Sequence, residues 1–435
     1  MSPRSTKPLP EEEMKAESKA QVGRSSAEYL PIVSKVLAEA PIVDVHTHLF
    51  PASAGKLCLR GIDELLTYHY LMVETLRYRK ITPREFLAME KARQADEVWK
   101  TLFVEHTPVS EASRGVLTVL EAFGLDTRSL DLDQARSFFG GMSPQEHIDI
   151  VLKKANIQFL VMTNDIFDQA ERDYWGPDFI KDRRFRAAMR IEMLINSPER
   201  ALSKMREMGY DAGRAKYDVK NYIVERFLES ARQSLDPVYV AASLPHTFRW
   251  DDGSFGAKML KEVLLPFCEA NRLPMALMVG VDRQKNPELD GGGDSMGSVD
   301  VSGIGDLCRA NPRVSFMVTL LSREDQHELC VMARKFPNLT PFGCWWFLNN
   351  PSLVDEITRM RLELLGLSFI PQHSDARVLD QLIYKWEHTR KAVARVLAEK
   401  YADLEEAGRP VGEDEVKRDC DELFSLNAKR IFGIS

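Results

Sequence analysis

Two histidines and one aspartate have the residue types and the setting of metal ligands. His46 and His48 are separated by one residue at the end of a β-prone run, so both imidazoles point to the same side of an extended strand. Asp375 follows another β-prone run near the opposite end of the chain. The alternatives are satisfied polar side chains for the histidines and a helix N-cap for the aspartate. Because imidazole and carboxylate together suit divalent transition ions, we predict one divalent metal ion at these three residues, with zinc favoured.

The chain between these residues alternates short β-prone runs with longer helical patterns, which is typical of parallel strands joined by helices. Eight runs can be counted, at 41 to 45, 157 to 162, 190 to 195, 237 to 244, 275 to 281, 313 to 320, 339 to 347 and 367 to 372. Eight strands close a barrel, so we predict an α/β fold, a (β/α)8 TIM-type barrel. An open doubly wound sheet usually has a glycine-rich fingerprint after its first strand, where this chain has His46-Thr47-His48. Closure makes the first and eighth strands neighbours, which would bring Asp375 to the histidines.

The connection after the first run is unusually long and mostly helical. We predict a helical insertion at about 60 to 150 that leans over the carboxyl ends of the strands, where barrel enzymes carry their active sites. Residues 1 to about 28 are rich in Lys, Glu, Pro and Ser and predict a tail. The expected domains are therefore 1 to 39, a tail and leading helix, and 40 to 435, the barrel with its insertion.

Composition argues against several classes of protein. The net charge of −7 comes without a run of basic residues, so a nucleic-acid partner is not expected. No apolar stretch reaches the roughly 20 residues that span a bilayer, and the N-terminus lacks a signal-peptide pattern, so we expect no membrane contact and a cytoplasmic location. The 6 cysteines are dispersed and predict neither a disulfide framework nor a structural zinc cluster.

Five motifs in register give the chain a resemblance to a known family. They are Asp44-x-His46-x-His48, His69-Tyr70, Gly280-x-x-Arg283-x-x-Asn286, Gly343-x-Trp345-Trp346-Phe347 and Ser374-Asp375-Ala376-Arg377. From about Ala40 to the C-terminal LNAKRIFG, the chain resembles the uronate isomerases of the amidohydrolase superfamily. The resemblance implies interconversion of an open-chain aldose uronate and its ketose, by metal-assisted proton transfer between C2 and C1 through an enediol. It also implies a small sugar-acid substrate, and we expect a homo-oligomer.

The resemblance and the chemistry together suggest roles for individual residues. Candidate catalytic residues are Asp375, His69, Tyr70 and Arg377, and candidate substrate contacts are Arg283, Asn286, Trp345, Trp346, His246 and Asp165. The alternatives are partly buried helix surface for His69-Tyr70, surface ion pairs for the arginines and a core role for one tryptophan. A guanidinium binds a carboxylate bidentately. We assign the substrate carboxylate to Arg283, across the barrel mouth, and a place nearer the metal to Arg377.

Three positions depart from the family pattern. Met278 stands where the family usually has a histidine, Asn164 replaces one of two acids, and Asn196-Ser197-Pro198-Glu199 lacks an expected arginine. His246 is a candidate replacement for the missing imidazole. The departures leave open a sugar acid other than glucuronate or galacturonate. Two other functions are alternatives: a mononuclear hydrolase or decarboxylase of the same superfamily acting on a related carboxylated substrate, and a non-catalytic sugar-acid binding protein.

Overall fold

The strands form one parallel sheet in sequence order, apart from a short antiparallel strand that pairs with the end of a central strand. The computed structural model describes residues 23 to 128, 131 to 176, 179, 181 to 210 and 219 to 434. The strands are β1 (Ile42–Thr47), β2 (Ile157–Asp165), β3 (Phe185–Arg190), β4 (Tyr239–Pro245), β5 (Met275–Asp282), β6 (Ser295–Met296), β7 (Phe316–Leu320) and β8 (Leu339–Pro341). β6 pairs antiparallel with β5, and all other pairings are parallel.

Helices cover the outside of the sheet, so the strands are apolar on both faces. All but the last residue of β5 are buried. The helices after β2 are α9 (Gln169–Arg172), α10 (Glu192–Asn196), α11 (Pro198–Glu207), α12 (Val219–Leu235), α13 (Phe255–Met259), α14 (Leu265–Asn271), α15 (Val301–Ala310), α16 (Gln326–Ala333), α17 (Pro351–Leu365), α18 (Gln381–Glu406), α19 (Glu413–Asp421) and α20 (Asn427–Phe432). None of the helices in the described ranges is long and apolar enough to cross a membrane.

The long connection between β1 and β2 is helical, as predicted. It contains α2 (Ile62–Leu66), α3 (His69–Tyr78), α4 (Pro83–Leu87), α5 (Lys91–Trp99), α6 (Glu111–Ala122), α7 (Leu132–Gly140) and α8 (Pro144–Ala155). Before β1, helix α1 (Ser26–Glu39) packs along α18 through buried residues such as Tyr29 and Val33. Most of the tail predicted for residues 1 to 28 lies outside the described residues.

A bulge in β1 aims the two histidines. Asp44 pairs with Leu160 and Thr47 with Met162, so three steps along β1 match two steps along β2. Val45, before the extra residue, belongs to the core inside the barrel. In a regular strand the side chains alternate, so Thr47 would also point into the barrel. The extra residue reverses the alternation, so the side chains of His46 and His48 point inward and line the pocket, which is a common use of bulges beside functional sites.

The third predicted strand, 190 to 195, is wrong. β3 ends at Arg190, and the residues after it form α10. The buried residues there, Ile191, Leu194 and Ile195, have the i, i+3, i+4 spacing of a helix face rather than the alternation of a strand. The true strand was missed because its centre contains Ala187 and Ala188, which have little β-propensity but fit the crowded barrel interior.

The last two predicted strands are shorter than expected. β8 ends at Pro341 rather than at 347, and the eighth run contributes a single bridge between Phe342 and Ile370. The barrel nevertheless closes. On one side the amide of Gly343 donates to the Ile370 carbonyl at 2.9 Å, and on the other the amides of Asp375 and His48 donate to His46 and Ala376 at 3.0 and 2.7 Å. We call residues 370 to 376, with His46 and His48, the closing seam.

A buried arginine supports the closing seam. Arg361 in α17 donates to the Gly343 carbonyl at 2.8 Å and to the Ile370 carbonyl at 3.3 Å. The first of these bonds gives the Gly343 carbonyl a donor, and the second adds to the Gly343 amide already bonded to the Ile370 carbonyl. The predicted class, a (β/α)8-type barrel with a helical insertion after the first strand, is therefore confirmed, although its eighth element is an extended segment.

Candidate active site

A pocket opens at the carboxyl ends of the strands, beneath the first helices of the insertion. Its walls come from β1, β3, β4, β5, the loop after β8, the closing seam and the start of α3. The lining residues are His46, His48, Tyr68, His69, Arg190, Glu192, Ala241, Ser243, Met278, Arg283, Trp345, Trp346, Asp375 and Arg377. Eight of the residues predicted from sequence thus share one cavity: both histidine ligands, His69, Arg283, Trp345, Trp346, Asp375 and Arg377.

The three predicted metal ligands converge in this pocket. Oδ1 of Asp375 lies 3.6 Å from Nε2 of His46 and 3.3 Å from Nε2 of His48. One donor atom from each residue lies within 4.8 Å of the others. Within the described residues the buried Oδ1 atom accepts no properly directed hydrogen bond. A divalent cation fits these three residues, since it would bind the carboxylate oxygen and the lone pairs of both imidazole nitrogens.

Both histidines are suited to act as neutral ligands. Burial lowers the pKa of His46 to about 3, against the opposing effect of the Asp375 carboxylate. Burial, with the nearby charge of Arg377, lowers the pKa of His48 to about 3 as well. Near neutral pH each ring therefore keeps one nitrogen lone pair, which metal binding requires.

Asp375 reaches the pocket because its backbone adopts a left-handed conformation, with φ at +49°. This conformation costs energy in a non-glycine residue and persists only where neighbours hold it. The residue before it is fixed on both sides: the Ser374 amide donates to Oδ1 of Asp44 at 3.0 Å, and Lys385 Nζ donates to the Ser374 carbonyl at 2.5 Å. α18 begins at Gln381 with Asp380 as its N-cap residue, so the helix-cap alternative for Asp375 is wrong.

Asp44 supports the site from behind the ligands. It is fully buried, and its Oδ2 accepts the indole N–H of Trp386 at 2.8 Å. Burial raises the pKa of this carboxyl to about 6, and the hydrogen bonds from Ser374 and Trp386 limit the rise. Asp44 therefore holds the closing seam in place and contributes no atom to the three-residue cluster.

Four of the predicted site residues, one catalytic candidate and three substrate contacts, lie outside the pocket lining. Tyr70 packs edge-on against His69, with ring centroids 4.6 Å apart, and burial raises its pKa well above the usual value. Asn286 is exposed and caps the 3-10 turn Pro287–Gly293. His246 packs against Gly297, and Asp165 accepts the Phe167 amide at 2.9 Å. Of this group only Tyr70 touches a residue of the pocket wall through a ring contact.

The two predicted arginines differ in their surroundings. Arg283 is half exposed and donates to Oδ2 of Asp294 at 2.6 Å and to Oγ of Ser243 at 3.3 Å. Among the described residues, no carboxylate lies within salt-bridge distance of Arg377, and its charge acts on both His48 and His69. Burial, with this charge, lowers the pKa of His69 to about 4.

Arg190 and Glu192 are functional candidates that the sequence analysis missed. Arg190 ends β3, pairs with Glu192 and lines the pocket. The expected arginine was predicted at 196 to 199 because the predicted third strand, 190 to 195, lies too late in the chain. A strand at 185 to 190 would have put Arg190 at a carboxyl end, which is the usual position of a barrel's active-site residues. Tyr68 and Ser243 also line the pocket, but neither belongs to a motif that the sequence analysis recognised.

Comparisons with known proteins agree with this geometry. No protein-family model matches the chain. No curated protein sequence matches it either. Among solved structures, the chain is similar to a uronate isomerase from Bacillus halodurans, with 45% identity, a TM-score of 0.92, and coverage of 95% of this chain and 98% of that one.

Two more distant structures share the fold. A uronate isomerase from Thermotoga maritima has 16% identity, a TM-score of 0.74 and coverage of 94% and 98%. A glucuronate isomerase from Caulobacter crescentus has 15% identity, a TM-score of 0.72 and coverage of 95% and 96%. The Bacillus relative is similar over nearly the full length of both chains, and on that ground the chain belongs to the uronate isomerase family.

Proposed function

We propose that this protein is a metal-dependent aldose-ketose isomerase of a hexuronate, such as D-glucuronate converted to D-fructuronate. The observation that carries the proposal is the cluster of His46, His48 and Asp375 facing a pocket whose walls also contain arginines. A second support is the 45% identity to a protein described as a uronate isomerase. A uronate needs both features, since its carbonyl end reacts and its carboxylate end must be bound.

The three ligands would hold one divalent ion, with zinc favoured by two imidazoles and a carboxylate. When bound, such an ion supplies Lewis-acid polarisation of the substrate's carbonyl and hydroxyl oxygens. Asp375 is the proposed proton carrier. Its carboxylate takes the proton from C2 while O1 gains a proton, which leaves an enediol. It then returns the proton to C1 while O2 loses a proton, which balances the one gained by O1, so the aldehyde becomes an alcohol and the C2 hydroxyl becomes the ketone.

His69 and Tyr70 are proposed to act on the other side of the substrate. The lowered pKa of His69 leaves its imidazole neutral near pH 7, and its buried Nε2 has no hydrogen-bond partner in the described part of the chain. A neutral imidazole in that state can accept or donate a proton at a substrate hydroxyl. Tyr70 packs on the His69 ring and restricts its orientation.

The substrate carboxylate is assigned to Arg283, with Arg377 nearer the ion. Arg377 follows Asp375 by two residues, whereas Arg283 follows β5 across the barrel mouth. Arg283 already holds Asp294, so the incoming carboxylate would share its guanidinium donors. Arg190 is the competing assignment, because it lines the same pocket, although Glu192 occupies part of its donor set.

The test is proton exchange at C2. Metal-loaded protein in D2O is incubated with a panel of hexuronates and with neutral aldoses of equal length, and loss of the C2 proton and appearance of the ketose are followed by NMR. We expect exchange and ketose only with uronates, loss of both after chelation, and recovery on adding the ion. Exchange in the chelated protein, or no exchange with any uronate, would overturn the proposal.

Ligand variants make the same test specific to the site. His46→Ala and His48→Ala should weaken metal binding and remove most activity, because the remaining ligands cannot reproduce the missing one. Asp375→Asn should also remove most activity, since an amide cannot carry the proton. Full activity of any of these variants at one ion per chain would contradict the assigned ligands.

A further inference from the structure

Two hydroxyl groups contact the histidine rings on the side away from Asp375. The Tyr239 hydroxyl, from β4, lies 3.3 Å from Nδ1 of His46. The Thr163 hydroxyl, from β2, lies 3.1 Å from Nδ1 of His48. Both side chains are almost fully buried, so these hydroxyls have fixed neighbours.

The direction of each hydrogen bond follows from counting protons. A hydroxyl has a single proton to donate. Tyr239 donates its proton to the Val45 carbonyl at 2.8 Å, and Thr163 donates its proton to the Thr47 carbonyl at 2.9 Å. Neither hydroxyl has a second proton for the imidazole. The imidazole must therefore be the donor, with its proton on Nδ1.

The two arrangements are the same in construction. Each runs from a histidine Nδ1–H to a hydroxyl oxygen, and from that hydroxyl to the carbonyl of the residue just before the histidine. The β1 bulge supplies both carbonyls, because Val45 and Thr47 flank His46 within it. The second ring nitrogen of a metal-binding histidine commonly donates a hydrogen bond to a carboxylate, a carbonyl or water. Here it donates to a neutral hydroxyl, and that hydroxyl donates in turn to a backbone carbonyl.

We propose that Tyr239 and Thr163 are positioning residues that hold His46 and His48 in the Nδ1–H tautomer, leaving both Nε2 lone pairs free for a divalent metal ion. The geometry beside Asp375 agrees. Its Oδ1 faces both Nε2 atoms at 3.6 and 3.3 Å. In this tautomer none of the three atoms, Oδ1 of Asp375 and the two Nε2 atoms, carries a proton. All three can therefore bind the same cation. The inference rests on the metal site of the proposed function and is independent of the substrate.

The first experiment measures metal affinity by competition with a chromogenic chelator, with zinc as the probe. Thr163→Val keeps the shape of the side chain and removes the hydroxyl, whereas Thr163→Ser keeps the hydroxyl. We expect the Kd to rise about 10- to 100-fold for the valine variant and to stay within about threefold of the wild type for the serine variant. Tyr239→Phe should weaken binding in the same way. A valine variant with the wild-type Kd would overturn the proposal.

The second experiment reads the tautomer directly in the metal-free protein, and its decisive measurement is made on the wild type. Nitrogen-15 NMR of protein labelled in its histidines distinguishes Nδ1–H from Nε2–H rings. We expect Nδ1–H at His46 and His48 in the wild type, and loss of that preference at His48 in Thr163→Val. Nε2–H rings in the wild type would overturn the proposal. If the wild type and the serine variant bind zinc more tightly than the valine variant but the wild type isomerises no uronate, the inference stands and the proposed function is refuted.

Discussion

Glu171 should make the protein less stable as the pH rises through neutrality. This residue of α9 is 6% exposed, and burial raises the pKa of its carboxyl to about 8. The charge of Asp165 adds to the rise, while the Asn164 hydrogen bond and the charge of Arg190 oppose it. Its Oε2 accepts from the Asn164 amide at 3.3 Å and from the Asp165 backbone at 3.1 Å. The informative change is Glu171→Gln, which keeps an oxygen for both bonds and cannot ionise.

The sign follows from proton linkage. The folded pKa of about 8 lies above the ordinary value of 4.5, so between these pH values the folded state keeps a proton that the unfolded state has released. The stabilisation is fully present below pH 4.5 and is lost as the pH rises through 8. At roughly 1.4 kcal/mol per pH unit, the wild type should lose about 3 kcal/mol between about pH 5.5 and pH 8.5 that the glutamine variant keeps.

The assay is urea unfolding of chelator-treated protein across this range. We expect the free energy of unfolding of Glu171→Gln, minus that of the wild type, to grow with pH by about 3 kcal/mol. Glu415→Gln is the matched control, because the hydrogen bond with Arg409 lowers the pKa of this partly exposed carboxyl to about 2 and it stays ionised throughout. Parallel pH profiles for wild type and Glu171→Gln would refute the reasoning.

Three further variants test separate parts of the structure. Arg283→Met should lower kcat/KM for a hexuronate roughly 30- to 900-fold, from about 2 to 4 kcal/mol of lost carboxylate binding, with a much smaller loss for a neutral aldose; equal losses would make Arg283 structural. Trp386→Phe removes the indole donor to Asp44 and should cost about 1.5 to 3 kcal/mol in urea unfolding; an unchanged midpoint would contradict this. Gly343→Ala places a Cβ 1.8 Å from a buried histidine nitrogen at a φ of +65° and should cost at least about 2 kcal/mol, more than Gly408→Ala, whose Cβ meets nothing within 4 Å.

The convergence of His46, His48 and Asp375 could be predicted from sequence because it depends on a few strong signals. The spacing of the histidines fixes a shared side of the strand, and closure of an eight-stranded barrel brings the last element beside the first. The bulge in β1 could not be predicted, since nothing in the residues from Asp44 to Thr47 distinguishes a bulged strand from a regular one.

The missed residues follow from weak local signals. Ala187 and Ala188 have little β-propensity, so the third strand was placed at 190 to 195, most of which is helix. Arg190 therefore stood at the start of the predicted strand rather than at its carboxyl end. Tyr68 reaches the pocket through the packing of the insertion on the barrel, which sequence periodicity does not describe. In each case a long-range contact decides the outcome.

The closing seam joins the first strand of the barrel to its last segment with few backbone bonds. Each side of the seam carries metal ligands: the two histidines on the side of the first strand and Asp375 on the side of the last segment. An ion held by His46, His48 and Asp375 would therefore act as a cross-link between distant parts of the chain. At free metal about 100 times the Kd, binding stabilises the closed seam by about 2.7 kcal/mol, and hydrogen exchange that requires its opening slows about 100-fold. The amide hydrogens of His48 and Asp375, which form the seam's own bonds, would report metal occupancy with no substrate present.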